Sequence, residues 1–299
     1  MRCAFRSILL MLSASISAAT CLANASHILQ PTAMSITNSG SVVILDKSQR
    51  VVVVPPGPDL QHYQVLFTID PAWEPLDISC SGLDDAQRIF VTVAQGTFGM
   101  LLEYSGSGKW LNSWPQSTIL SGLAIDSQNQ RVFIAGALTG NIYSYSWNDR
   151  SPNPIKTFTH IPDANTLGAL AIDSRHPILY SSDVGSGSIV SIDLDSKTVH
   201  GVAERVGQPA ALAVSSSSNR LYIADSAGRR IWAVSLDAKS MKARLFSPPS
   251  EFAKSPFRQP SALAVDSHGV VWVGDPDAKA FFQLAASGNI FATYKIVFE

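Results

Sequence analysis

The chain has 299 residues, a formal charge of −1 and 15% charged residues. That balance excludes the basic footprint of a nucleic-acid binder, and it excludes a disordered polyelectrolyte or a coiled coil, which carry far more charge. A chain of this length buries a full core without disulfide or metal staples.

Residues 1–25 open with Arg2 and Arg6, continue into an apolar stretch from Ile8 to Leu12, and end on Ala23-Asn24-Ala25, a small-x-small cleavage site. This is the pattern of a secretory signal peptide; a membrane span would need about 20 apolar residues, which are absent. Cys21 offers a lipid-anchor alternative, with Thr20 before it where such motifs carry Gly or Ala. Cleavage after Ala25 leaves Cys80 as the one thiol, so no intrachain disulfide can form. Residues 26–299 also lack an N-x-Ser/Thr acceptor, and together these features point to a secreted or periplasmic protein of bacterial type.

Residues 26–299 read as one domain built from six copies of a single unit. Thr32 opens TAMSITNSGSVVILDKSQRVVVV and Glu74 opens EPLDISCSGLDDAQRIFVTVAQGTFGMLLEYS. Leu120 opens LSGLAIDSQNQRVFIAGALTGNIYSYS and Leu167 opens LGALAIDSRHPILYSSDVGSGSIVSIDL. Gln208 opens QPAALAVSSSSNRLYIADSAGRRIWAVSL and Gln259 opens QPSALAVDSHGVVWVGDPDAKAFFQLAA. The first apolar run of each ends at Thr37, Cys80, Asp126, Asp173, Ser215 and Asp266, spaced 43, 46, 47, 42 and 51 residues apart. Each unit holds three strand-like runs separated by polar turns and a fourth, less regular one, such as YQVLFTI or PIKTFTH. The first two runs are apolar nearly throughout, so both faces of each sheet must be covered. A four-stranded unit of this length, repeated and covered on both faces, is a propeller blade, and the expected fold is an all-β six-bladed propeller of antiparallel blades.

The pattern P-x-x-[LI]-A-[VI]-D followed by [VL]-[YW]-[VI]-[AG]-D resembles NHL repeats and the senescence-marker-protein/gluconolactonase-like propellers of the TolB-like group. The resemblance runs from residue 32 to about 299. It implies a divalent metal in the central channel, held by a Glu in Glu-Gly-Pro, by Asn residues including one in Asn-Gly-Leu, and by an Asp opening a first strand. Here the Asn-Gly-Leu position reads Ser121-Gly122-Leu123, later blades carry Gly168, Ala210 and Ser261, and Glu74-Pro75 lacks the Gly. Ser and Ala do not replace the oxygen ligands of a hard cation. The expectation is therefore no metal and no cofactor.

The remaining motifs are bland. No G-x-S-x-G elbow exists, and Gly185-Ser186-Gly187-Ser188 falls in a hairpin turn. Cys80 reads as a small buried hydrophobe. Asp126, Asp173 and Asp266 end first runs, where a carboxylate caps the following turn. The inter-blade loops and the loops after second strands share one face, and this face is the expected binding surface. Its candidate ligand-binding residues are Trp73, Glu74, Trp114, Asp183, Asp225, Phe257, Arg258 and Asp275. The alternative roles are sealing gaps between blades for the tryptophans and capping turns for the aspartates. The connection Ser247–Pro260, with four prolines, is expected to fold over the channel mouth, with Phe257 near the axis and Arg258 facing the pocket. The reading is an exported, monomeric binding module for a small polar ligand or a protein partner, without nucleic acid or a membrane span. The alternative is a lactonase-like or other hydrolytic enzyme working in the channel.

Overall fold

The computed structural model describes residues 27–56, 63–149, 151, 154–173, 175–236, 244–245 and 256–298. The expected signal peptide, residues 1–25, and most of the Ser247–Pro260 connection lie outside the described residues.

A short strand β1 (His27–Ile28) precedes blade 1, which comprises β2 (Pro31–Ile36), β3 (Val42–Asp46), β4 (Arg50–Val54) and β5 (Gln64–Thr68). Blade 2 comprises β6 (Glu74–Cys80), β7 (Arg88–Gln95), β8 (Phe98–Ser105) and β9 (Trp110–Gln116). Blade 3 comprises β10 (Leu120–Asp126), β11 (Arg131–Gly136), β12 (Asn141–Ser146) and β13 (Lys156–His160). Blade 4 comprises β14 (Leu167–Asp173), β15 (Ile178–Asp183), β16 (Ser188–Asp193) and β17 (Val199–Ala203). Blade 5 comprises β18 (Pro209–Ser215), β19 (Arg220–Asp225), β20 (Arg230–Ser235) and β21 (Arg244–Leu245). Blade 6 comprises β22 (Ala262–Val265), β23 (Val271–Asp275), β24 (Ala280–Leu284) and β25 (Ile290–Tyr294), and β26 (Val297–Phe298) follows it. Every blade is a four-stranded antiparallel sheet with its strands in sequence order, and no helix occurs among the described residues.

The innermost strands touch in the order β2, β6, β10, β14, β18, β22 and back to β2, which closes the six-bladed ring. The core is divided into six apolar clusters, one in each gap between blades. This explains the unbroken apolar second strands. Val43 and Leu45 enter the gap to blade 2, while Val42 and Ile44, on the opposite face, enter the gap to blade 6. The outer strands have a covered and a wet side, and β5 and β13 are half-exposed accordingly.

The ring closes at the chain ends. β25 is the outer strand of blade 6. β1 pairs with β26 rather than with the blade: His27 faces Phe298 and Ile28 faces Val297. The reason lies in the next residues. Leu29 and Ile296 are both buried in the gap between blades 6 and 1, and Leu29 N donates to Ile296 O at 2.9 Å.

Candidate functional site

The six inner strands surround a central cavity of about 610 Å3. Near the axis six strands converge, and Ala, Gly and Ser of the wall alternate with Leu, Ile and Val. Hydrogen bonds tie neighbouring blades together at their inner strands, one of them from Thr92 of the second strand β7. Cys80 N donates to Ser35 Oγ at 3.2 Å, Thr92 Oγ1 to Ser121 O at 2.6 Å, Ser121 Oγ to Leu167 O at 2.9 Å and Ser261 Oγ to Thr32 O at 3.3 Å.

One wall residue breaks the pattern. In blade 1 the first turn is capped by Thr37, whose N donates to Ser41 O at 2.9 Å and whose Oγ1 accepts from Ser41 N at 3.1 Å. In blade 2 the same pair of bonds joins Ser81 and Arg88, both at 2.9 Å. Ser81, not Cys80, therefore holds the position of Asp126, Asp173, Ser215 and Asp266. Four residues upstream of these caps stand Ala33, Asp77, Gly122, Ala169, Ala211 and Ala262, all in the cavity wall. Blade 2 alone places a carboxyl where the others have a methyl or a hydrogen.

Asp77 Oδ1 accepts from Ile78 N at 2.8 Å, and Oδ2 accepts from Leu123 N of blade 3 at 2.7 Å. Asp77 is half-buried at the channel wall, and burial pushes its carboxyl up to about 7 against the pull of these two N–H donors. Among the described residues no Lys, Arg or His lines the cavity. The other lining carboxyl, Asp126, is engaged by Arg131 at 3.3 Å and by Asn129. Burial pushes the Cys80 thiol up to about 12, and Sγ donates to Gly82 O at 3.1 Å, as suits an inert core thiol.

The residues expected to bind ligand are dispersed, and none of them lines this cavity. Asp183, Asp225 and Asp275 end second strands, each joining the preceding inter-blade loop to its own hairpin. Asp183 accepts from Asn165 N at 3.0 Å, Thr166 N at 2.8 Å and Gly185 N at 3.0 Å. Burial alone would raise this carboxyl, yet those donors and the Ser186 hydroxyl hold it below its ordinary value. Asp225 accepts from Gln208 N at 3.0 Å and Gly228 N at 2.8 Å. Asp275 accepts from Arg258 N at 2.6 Å, Gln259 N at 3.0 Å and Ala278 N at 2.9 Å. The first-strand aspartates cap turns as expected, for example Asp266 with His268 N and Val270 N, both at 2.9 Å.

The apolar candidates fill gaps between blades. Trp73 packs on the cluster between blades 1 and 2, and Glu74, which opens β6, is exposed. Trp114 lies within β9 on the outer edge of blade 2, not in an inter-blade loop. Its ring meets Tyr145 of blade 3 at 4.4 Å, and Pro115 is tolerated there because β9 is an edge strand. Phe257 does not cover the channel mouth. Its ring is buried between blades 5 and 6, edge-on to Phe282 at 5.1 Å, because the widening wedge between blades offers apolar contact and the axis does not. Arg258 is exposed and borders a shallow recess with Asp277, Lys279 and Lys295; it meets Asp275 through its backbone N–H, not its guanidinium.

The family model for the SMP-30/Gluconolactonase/LRE-like region matches residues 168–298, blades 4 to 6 of the propeller. The chain is also similar to solved propeller structures. One is a chain of a nidogen/laminin complex, with TM-score 0.68 and 11% identity over 90% of this chain and 93% of that one. Another is an auxiliary nutrient binding protein from Bacteroides thetaiotaomicron, with TM-score 0.66 and 10% identity over 84% and 67% of the two chains. Streptogramin B lyase has TM-score 0.65 and 11% identity over 92% and 88%. At these identities the likeness shows the fold alone. No curated protein sequence matches the chain.

The channel does not fit the divalent metal that the gluconolactonase resemblance implies. Ser121 spends its hydroxyl on Leu167 O, and the matching positions Gly168 and Ala210 carry no side-chain oxygen. Glu74 is exposed and outside the cavity wall. Among the described residues no three His, Cys, Asp or Glu side chains gather around a common point. A hard cation needs six or more oxygens in this setting, and the wall's two carboxylates, Asp77 and Asp126, already accept hydrogen bonds from neighbouring groups.

Proposed function

We propose that the chain is an exported binding module that takes a small polar organic molecule into its central channel. The observation that carries this reading is the cavity itself. At about 610 Å3 it falls within the range of small-molecule sites, and its wall sets polar groups among apolar side chains. The likeness to a nutrient binding protein supports the same reading, and residues 1–25 support export to the periplasm or medium. A protein partner bound across the loop face is the competing form of a binding role. A lactonase-like enzyme draws on the family match in blades 4 to 6, but the donor set argues against it.

The test is to block the channel. Ala210 stands part-exposed in the wall, and Ala210→Trp adds bulk to the space there. The exported chain, beginning at Ser26, is screened by thermal shift against sugars, amines, alcohols, lactones and organic acids. Ligands that raise the parent's Tm should lose at least tenfold in affinity in Ala210→Trp, with the unliganded fold intact by circular dichroism. Unchanged affinity would move the site to the loop face and refute the channel.

A further inference from the structure

The channel wall has two different sides. Blades 1 to 3 bring Ser35, Asp77, Ser79 and Ser121 to it. In a six-bladed ring blade 5 stands opposite blade 2, and there the wall is Ala210, Ala211, Leu212 and Val214. Asp77 and Ser79 are two residues apart on β6 and so share one face of that strand.

We infer that the channel's ligand is an amphipathic amine, whose ammonium group is anchored by the Asp77 carboxylate and whose apolar body lies against blade 5. This rests on the channel being the binding site and adds the class of ligand. Each Asp77 oxygen accepts one backbone N–H and keeps capacity for another donor. An ammonium brings three donors and the missing countercharge. An anion would meet two carboxyl groups and no lining cation. Burial has already pushed the Asp77 carboxyl up to about 7, so the wall bears an ionisation cost that a bound cation would offset.

The charged and titratable groups on the elements around β6 do not supply that cation. On β6 itself these are Glu74, which is exposed, and the Cys80 thiol. β2 contributes none. β3 ends on Asp46, which accepts from Gln30 N and Ser48 N. Arg88 of β7 pairs with Glu103 at 2.9 Å, and Asp126 of β10 pairs with Arg131.

The test uses three probes of one shape: n-hexylamine, 1-hexanol and hexanoate, titrated by calorimetry at pH 8. The expected order is hexylamine first by at least tenfold, then hexanol, with hexanoate last. In Asp77→Asn the three should fall within about threefold of one another. On the parent, hexylamine affinity should drop about tenfold from pH 8 to pH 6 as the carboxylate takes up its proton, the amine staying charged with a pKa of about 10. Hexanoate binding as well as hexylamine, an order that survives in Asp77→Asn, a flat pH profile, or no binding by any probe would each overturn the assignment. Ala210→Trp separates the two levels. If it abolishes probe binding that ignores charge, the channel stands and the anchor falls; if hexylamine still binds that variant, the channel reading falls as well.

Discussion

Asp77 stands where the other blades have Ala or Gly, and its position carries a cost with a definite sign. Its carboxyl is raised in the folded state, so between its ordinary value of 3.8 and about 7 the folded chain holds a proton that the unfolded chain has lost. Stability contributed by the neutral acid is therefore present at low pH and falls as pH rises through that window. Asn has a similar shape and no charge to desolvate. The unfolding free energy of Asp77→Asn relative to the parent should thus improve by about 1–3 kcal/mol between pH 5 and pH 8, the channel's own solvent keeping it from the upper limit. Denaturant melts of both proteins at the two pH values read this directly, and a difference that does not change with pH would remove the desolvated carboxylate. The sequence concealed this residue for a local reason. The first turn of blade 2, two or three residues longer than those of the other blades, makes Cys80 look like the capping position, and with that offset Asp77 aligns with Met34 and Leu123 rather than with Ala33 and Gly122.

The blades were legible because each second strand must feed two gaps at once. That demand removes the usual polar alternation and leaves runs such as VVILD and RLYIAD, which recur at a nearly fixed distance from the first strand. The aspartates ending those strands were legible as capping groups and equally as ligand-binding groups, since a chain read in one dimension does not show which N–H groups converge on a carboxylate. In Asp225 they come from both sides: Gln208 of the loop arriving from blade 4 and Gly228 of the hairpin in blade 5. Asp225→Ala removes both of these part-buried, charge-assisted hydrogen bonds and should cost about 2–3 kcal/mol. The loss should appear in Tm and denaturant midpoint but not in the affinity of a channel ligand measured well below the melting range. An unchanged midpoint would contradict the stapling role; a selective loss of affinity would return Asp225 to the binding site. Trp114 and Phe257 illustrate the same limit. An aromatic side chain next to a proline or in a long connection is compatible with a binding face, and only the three-dimensional gap between blades shows where its area is better buried.

A ring of six sheets has one seam that the chain does not cross, between blade 6 and blade 1. No strand is exchanged across it, since β22 to β25 form blade 6 and β2 to β5 form blade 1 without mixing. Two devices hold it instead. The apolar cluster in the gap joins Met34, Val42 and Ile44 to Trp272 and Phe281. The β1–β26 clip then ties the two ends of the described chain together beside it. Leu29 and Ile296 belong to both devices, being buried in the cluster and hydrogen-bonded across the clip. Leu29→Ala removes most of a fully buried side chain from a site that the rigid blades on either side cannot close over, and it should cost about 2–4 kcal/mol, or roughly 5–10 °C in Tm. Removing residues 295–299 deletes β26 and Ile296 together, so it should cost more than Leu29→Ala and make hydrogen exchange faster in β2 and β25 than in the strands of blade 3. If the truncated chain melts with the parent, or if exchange rises evenly around the ring, the seam is held by the gap cluster alone and the paired ends contribute nothing to closure.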